Sequence, residues 1–420
     1  MKFRKLGIID PIAKAIAEHK LEDPSEIQDK AIPPVLEGKD IIAGSATGSG
    51  KTLVFASGII QNCEKGKGIQ ALILTPTREL TVQITKEILK FSKYKHLNVF
   101  PIYGGVAISP QIDALRIADV IVGTPGRLMD HMERRTINLS RVKILVLDEA
   151  DRMLDMGFQQ DVESIISQCP PKRQTLLFSA TISEDIVYLS RKYMKSPIKI
   201  SAGVQVDPTK LKQCFYEVPD NMKFSLLVHM ITTESTGLVM VFCNSRKTTD
   251  FVTNNLRQND IDAQAIHGGF TQNKRERTME KFHHAKAHVL VCTDVASRGL
   301  DIKNVSHIYN YDIPRDSKDY IHRIGRTARA GEAGKAINLL CQKDYENFGR
   351  IERDYRLTIT KEQLPIVPRI PIKWRETSGG YSSDSRGPRR FGPRRSGPRG
   401  QSNSFGPRRS SSNRGSFGRR

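Results

Sequence analysis

The sequence predicts an α/β fold in two tandem domains, each a parallel sheet flanked by helices, followed by a disordered Arg/Gly-rich C-terminal tail. Three observations carry this. Short apolar runs alternate with helix-period segments up to about residue 365, the rhythm of parallel strands joined by crossover helices. The rhythm breaks and restarts near Ser201–Lys210, where Gly203 and Pro208 interrupt a polar stretch. Past residue 365 the apolar runs end, and Gly, Ser, Pro and Arg take over.

In chain order, the first half places strands at Ile41–Ala43, Ala71–Leu74, Asn98–Tyr103, Val120–Val122, Ile144–Leu147 and Thr175–Phe178. Between them lie helical patterns such as Thr77–Phe91, with Leu80, Ile84, Ile88 and Leu89 on one face. The second half repeats the pattern at Leu238–Phe242, Ala263–Ile266, Val289–Cys292, Ile308–Tyr311 and Ile337–Leu340. The expected units are a leading segment 1–29, a first domain 30–203, a linker 204–210, a second domain 211–365 and a tail 366–420. In sheets of this kind the functional loops lie at the carboxyl ends of the strands.

A formal net charge of +21 on 420 residues points to a polyanionic partner. About half of it lies in Ser378–Arg420, which holds eleven Arg, no Lys and one Asp. Phe391, Phe405 and Phe417 punctuate this tail, and Phe-Gly-Pro-Arg-Arg occurs at Phe391–Arg395 and again at Phe405–Arg409. Such a segment cannot bury a core, but it suits sequence-tolerant contact with RNA phosphates and bases. The six cysteines are scattered without a C-x-x-C pair, so they read as core residues in a reducing compartment rather than a disulfide or zinc framework. No apolar run approaches the roughly 18 residues of a membrane span, and no signal-peptide core opens the chain. A cytoplasmic protein without a membrane partner is the expectation.

Chemistry concentrates first in Gly44-Ser45-Ala46-Thr47-Gly48-Ser49-Gly50-Lys51-Thr52, between a strand and an amphipathic helix. Glycines there let backbone amides converge on phosphate oxygens beside a helix N-terminus. Lys51 is placed to reach terminal phosphates, and the Thr52 hydroxyl to ligate Mg²⁺. Ser45 stands where the strict pattern has its first glycine. The second element is Asp148-Glu149-Ala150-Asp151, directly after the run Lys143–Leu147. Asp148 can hold Mg²⁺ through its water shell, and Glu149 can orient and deprotonate an attacking water.

Together these stretches resemble the DEAD-box family of ATP-dependent RNA helicases, with its motifs in family order from about Phe3 to about residue 365. The resemblance implies two RecA-like domains with ATP and Mg²⁺ as ligands. Gln28, in Pro24-Ser25-Glu26-Ile27-Gln28, resembles the family's adenine-reading glutamine, and Phe3 its base-packing aromatic. Thr47, Gly48, Ser49, Gly50, Lys51 and Thr52 then hold the phosphates. Pro76, Thr77 and Arg78, with Gly105 and with Thr124, Gly126 and Arg127, match the first domain's RNA-backbone motifs. Ser179-Ala180-Thr181, with Asp151, matches the elements that couple hydrolysis to unwinding.

In the second half, Ser245, Arg246, Gly268, Gln272, Arg275 and Thr293 match RNA-facing motifs, and Asp301 is implied at the ATP ribose. His322-Arg323-Ile324-Gly325-Arg326-Thr327-Ala328-Arg329 matches the arginine-finger motif, implying Arg326 and Arg329 at the transferring phosphoryl and His322 in coupling. Ala328 replaces the family's usual glycine, which could tighten the loop.

The implied activity is RNA-stimulated ATP hydrolysis coupled to local, non-processive unwinding or remodelling. Single-stranded RNA and short duplexes, bound with low sequence specificity, are the implied partners, in settings such as ribosome or mRNA-decay complexes. A DNA helicase or translocase on the same core, and an RNA-annealing chaperone acting through the tail, are the two alternatives.

Overall fold

Two parallel sheets of seven strands organise the computed structural model. The structure describes residues 2–44, 49–201, 211–234, 237–283, 287–294, 302, 305–328, 333–354 and 357–372, without the side chains of 273, 276 and 283. The first sheet contains β1 (Ile41–Gly44), β2 (Ala71–Leu74), β3 (Val99–Ile102), β4 (Val120–Gly123), β5 (Ile144–Leu147), β6 (Gln174–Ser179) and β7 (Ile198–Ser201), in the order β3-β4-β2-β5-β6-β1-β7. The second contains β8 (Leu211–Glu217), β9 (Leu238–Phe242), β10 (Ala263–Ile266), β11 (Val289–Cys292), β12 (Val305–Asn310), β13 (Gly334–Leu340) and β14 (Thr360–Lys361), in the order β10-β11-β9-β12-β13-β8-β14. Shifting every label by seven turns the first order into the second, so the two lobes share one topology.

Central strands are buried from end to end, as β2, β4, β5, β6 and β11 show. Helices cover both faces of such sheets, which is why these strands read as unbroken apolar runs. Side chains alternate across the sheet: Ile41 and Ala43 of β1 enter one core, with Phe3, Ile27, Val54 and Ile59. Ile42 enters the opposite core, with Leu72, Leu145 and Leu177.

Three strands escape the apolar-run reading. In β7 only Ile200 is buried, and β14 is exposed throughout, as edge strands are. β8 mixes Lys212 and Gln213 with its buried positions, because its outer neighbour is the short β14. Residues 366–372, read from the sequence as the start of the tail, lie against the second lobe. Val367, Ile370 and Ile372 pack on its core, and the Ile370 amide donates to Ser225 Oγ at 3.0 Å. All six cysteines are free and buried. Among the described residues no helix is long and apolar enough to cross a membrane.

Candidate active site and nucleic-acid interface

The helix Lys51–Asn62 starts at the carboxyl end of β1 after Gly50, whose φ of 88° is a left-handed conformation suited to glycine. A Cβ at Gly50 would lie 2.4 Å from Gln28 Nε2, so the loop and Gln28 are fitted to each other. Gln28 Nε2 donates to the Gly50 carbonyl at 3.0 Å, and Gln28 Oε1 accepts from the Ser25 amide at 3.0 Å. Ser25 Oγ donates to the Ser49 carbonyl at 2.8 Å. Gln28 is therefore a clip between the start of its own helix and the phosphate loop. One N–H and one oxygen lone pair of its amide are left for a base. Phe3, expected against that base, is 2% exposed and packs inside the first core, because the helix Lys2–Lys5 turns its one apolar side chain inward.

Lys51 Nζ lies 2.7 Å from Asp148 Oδ1 at the end of β5, and both side chains are buried. Burial raises the Asp148 carboxyl above the ordinary value despite Lys51 beside it. Asp148 Oδ2 is buried and accepts no hydrogen bond from the described residues, a demanding position for an anionic oxygen. A hard cation meets that demand, and Thr52 adds a hydroxyl in the first turn of the facing helix, so the donor set fits Mg²⁺.

Glu149 follows with φ 51°, a strained left-handed residue at the start of the helix Ala150–Asp155. Its Oε2 accepts from Arg152 Nη1 at 2.8 Å. Burial alone would raise the Glu149 carboxyl, but Arg152, Lys51, Arg326 and His322 together outweigh it and hold it at about 2. Arg326 and His322 belong to the second lobe, so the second lobe's charges already reach the first lobe's carboxylate. Asp151 Oδ2 accepts from both the amide and the hydroxyl of Thr181 at 3.0 Å, and Ser179 Oγ donates to the Thr181 carbonyl at 2.6 Å. These bonds join the loop after β6 to the loop after β5.

Two helix N-termini at equivalent places in the two lobes have matching caps. Thr77 Oγ1 accepts from Leu80 N at 3.3 Å, and Ser245 Oγ accepts from Thr248 N at 3.0 Å. Both caps have φ −133° and ψ 153°. Each follows the second strand of its sheet and presents a helix N-terminus to an anion. Arg78 packs over Gly105, where an added Cβ would lie 2.0 Å from Nη1 and where φ is 82°. Arg127 Nη2 donates to the Val106 carbonyl at 3.0 Å, while its buried Nη1 has no hydrogen-bond partner among the described residues. Opposite, Arg246 lies over Gly268, with Nη2 3.3 Å from the position of a Cβ. Arg275 Nη2 crosses between the lobes to Glu79 Oε1 at 2.9 Å, and Lys318 reaches Asp155 at 2.8 Å.

Pro76 is buried behind the Thr77 cap, and Gly126 is exposed in the first turn of the helix Pro125–Glu133 capped by Thr124. Gln272 opens the helix Gln272–His283, and Thr293 is buried just past β11. Thr47, Gly48, Asp301 and Arg329 lie outside the described residues, as do 204–210 and the tail from 373.

Arg323 is the residue whose importance sequence reasoning missed. It is 1% exposed and donates to Asp294 Oδ1 and Oδ2, Asn244 Oδ1, Asn310 Oδ1 and the Asp312 carbonyl, at 2.5–3.1 Å. It ties the loops after β9, β11 and β12 to the helix Ser317–Ile324 that leads to Arg326. Its only sequence signal is its place in the His322–Arg329 stretch. Arg152 gave no signal of its own, and Glu79 only its place in the stretch Pro76–Leu80.

Residues 25–188 match the DEAD/DEAH box helicase family, and residues 222–331 match the helicase conserved C-terminal domain. The ATP-dependent RNA helicase CshA of Limosilactobacillus reuteri is 42% identical over 371 residues, which span 88% of this chain and 74% of the relative. The DEAD-box ATP-dependent RNA helicase CshA of Geobacillus kaustophilus is 40% identical over 369 residues, 87% of this chain and 79% of its own. Among solved structures, S. cerevisiae Dbp5 bound to RNA and ADP BeF3 superposes with a TM-score of 0.77 at 29% identity, over 86% of this chain and 95% of that one. A DEAD box protein from the hyperthermophile Methanococcus jannaschii, 41% identical, gives 0.53 over 86% of this chain and 98% of that one.

Proposed function

Because the chain belongs to the DEAD-box family of ATP-dependent RNA helicases, we propose that ATP hydrolysis at Lys51 drives local, non-processive opening of short RNA duplexes, or remodelling of RNA–protein complexes. The observation that carries this reading is the pairing of the lobes through Arg275–Glu79 at 2.9 Å and Lys318–Asp155 at 2.8 Å, with the charges of Arg326 and His322 of one lobe lowering the Glu149 carboxyl of the other. A hydrolytic centre assembled from both lobes is complete only when they close, and RNA contacts on both lobes favour closure. Support for a closed arrangement comes from the superpositions. The RNA- and nucleotide-bound Dbp5 fits better than the M. jannaschii protein despite lower identity, the opposite of what lobe sequence alone would give.

In this reading, Lys51 leaves Asp148 for the terminal phosphates, and the Ser49–Gly50 backbone, held by Ser25 and Gln28, cradles them. Asp148 and Thr52 are the residues that would hold Mg²⁺, which would supply neutralisation of phosphate charge there. Glu149, fixed by Arg152, accepts a hydrogen bond from the attacking water. With Arg152 first among the cations that hold its carboxyl at about 2, it is a weak base, so its first task is orientation. Arg326, with Arg329, stabilises charge on the transferring phosphoryl. Asp151, Ser179 and Thr181 carry the state of this site to the adjoining loop. RNA phosphates take the Thr77 and Ser245 helix ends with Arg78, Arg127 and Arg246, which read backbone rather than bases.

The test compares ATPase rates with single-stranded RNA and with single-stranded DNA of matching sequence. RNA is expected to stimulate and DNA not; equal stimulation would favour a DNA translocase. Duplex separation should fall steeply with duplex length and stop in Glu149→Gln, and separation unchanged in that variant would mean an annealing chaperone.

A further inference from the structure

The shared topology of the lobes directs attention to the second lobe's counterpart of Lys51. Lys223 opens the helix Lys223–Thr233 after β8, as Lys51 opens its helix after β1. Both lysines are buried, and both pair with a buried aspartate: Lys223 Nζ lies 2.6 Å from Asp344 Oδ2. The surroundings differ. The turn before Lys223, Val218-Pro219-Asp220, has no glycine to cradle a phosphate, and Asp344 neutralises the lysine. In place of a phosphate loop, Lys223 Nζ meets a thiol: Cys341 Sγ lies 3.5 Å away, and this thiol donates to Asp344 Oδ2 at 2.9 Å. Asp220 also faces the thiol, and the Tyr311 ring lies 5.3 Å from Nζ. A cavity of about 930 Å³ is bordered by Pro219, Asp220, Cys341, Gln342 and Lys343. Cys341, 2% exposed, thus borders a space open to small solutes.

We propose that Lys223, Cys341 and Asp344 form an oxidation site at which hydrogen peroxide joins Cys341 Sγ to Lys223 Nζ through an S–N bond. In the first step sulfur attacks one peroxide oxygen and the O–O bond breaks. Asp344 takes the thiol proton, the departing hydroxide takes a proton from the Lys223 ammonium and leaves as water, and sulfur, oxidised by two electrons, carries a hydroxyl as sulfenic acid. In the second step the Lys223 amine freed by that proton loss attacks the sulfur, the S–O bond breaks, and the hydroxyl leaves as a second water with the proton the nitrogen sheds. The overall change consumes one thiol, one lysine ammonium and one peroxide, yields the S–N link and two waters, and leaves the extra proton on Asp344. Sulfenic acids are ordinarily resolved by a second thiol; here the nucleophile in contact is an amine. Closing the gap takes a shift of about 2 Å in Nζ, which the flexible lysine stem permits. Burial, and after it the hydrogen bond to Asp344, push the thiol up to about 11. The thiolate is therefore scarce at neutral pH, and the site responds to sustained peroxide rather than to a brief pulse.

Peptide mapping of the full chain after incubation with millimolar hydrogen peroxide tests the proposal. Free thiols are alkylated before digestion, and reductant is omitted. The expected product joins the Lys223 peptide to the Cys341 peptide at a mass about 2 Da below their sum, reverts with dithiothreitol, and is absent from Cys341→Ser and Lys223→Arg. Recovery of Cys341 as free thiol, as sulfinic acid or in a disulfide, with Lys223 unmodified, would overturn it. The wild-type chain alone decides between these outcomes, so a variant that folds poorly leaves the test intact.

Discussion

Replacing Lys51 by Met should expose how much the first lobe depends on one buried ion pair. Asp148 is 0% exposed, and its compensating cation is Lys51 Nζ at 2.7 Å. Without that cation the carboxylate must either stay charged in the interior or take up a proton. The proton route caps the loss. Holding a carboxyl of ordinary pKa near 3.9 protonated costs about 1.4 kcal/mol per pH unit above that value, or about 4 kcal/mol at pH 7. Breaking a buried pair from one side typically costs about 3–5 kcal/mol, so about 3–4 kcal/mol is expected here. The sign of the pH dependence follows from the direction of the Asp148 shift. In the wild type burial raises the Asp148 value and Lys51 opposes the rise; without Lys51 the rise is larger, so folded Lys51→Met holds a proton that its unfolded chain has released, and its stability falls more steeply than the wild type's as pH rises above about 4. The gap between Lys51→Met and wild type should therefore be widest at neutral pH and close near pH 4. Adding Asp148→Asn removes the charge and should recover more than half of the loss. Hydrogen exchange of the β1 and β5 segments, and urea unfolding followed by circular dichroism, both without nucleotide and in EDTA, would measure this. A pH-independent gap, or a double variant no more stable than Lys51→Met, would refute the reasoning.

Arg275→Ala should leave ATPase without RNA near the wild-type rate but weaken RNA stimulation about tenfold, because its partner Glu79 is on the other lobe; RNA titrations of ATPase read this directly. Ala328→Gly should stabilise the second lobe by about 1 kcal/mol in denaturant titrations, since Ala328 sits at φ 53°, where a Cβ is strained and the family's usual glycine is not. Deleting Ser378–Arg420 should reduce the slope of log affinity for single-stranded RNA against log salt. Each tail arginine seated on a phosphate contributes about 0.7 to that slope. An unchanged slope would remove the tail from RNA binding.

Legibility in the sequence followed burial. Strands buried on both faces, such as Ala71–Leu74 and Ile144–Leu147, stand out as unbroken apolar runs and matched the structure at both ends. Edge strands such as Ile198–Ser201 carry no such signal, because one side faces water. The same logic governs the candidate site. Backbone-dependent elements are spelled locally: Gly50 before Lys51, Thr77 and Ser245 as caps, and Asp148 at the end of an apolar run. Side-chain partnerships across the chain are not spelled anywhere. Phe3 reads by resemblance as a base-facing aromatic, and its packing in the first lobe's core is visible only in the fold.

By itself the sequence determined two α/β lobes, a phosphate loop paired with strand-end carboxylates, and family membership, since each rests on short-range patterns of glycine, charge and apolar periodicity. Tertiary structure alone decided which charges are buried and what they face. It turned Arg323 from one basic residue among several into the hub of three loops, and it set Arg326 and His322 against Glu149. It also brought Lys223 to Cys341, 118 residues apart in sequence and 3.5 Å apart in space. The physical reason is common to all three: the energy of a charge depends on its distance to other charges and on the water excluded around it, and neither quantity exists until the chain has folded.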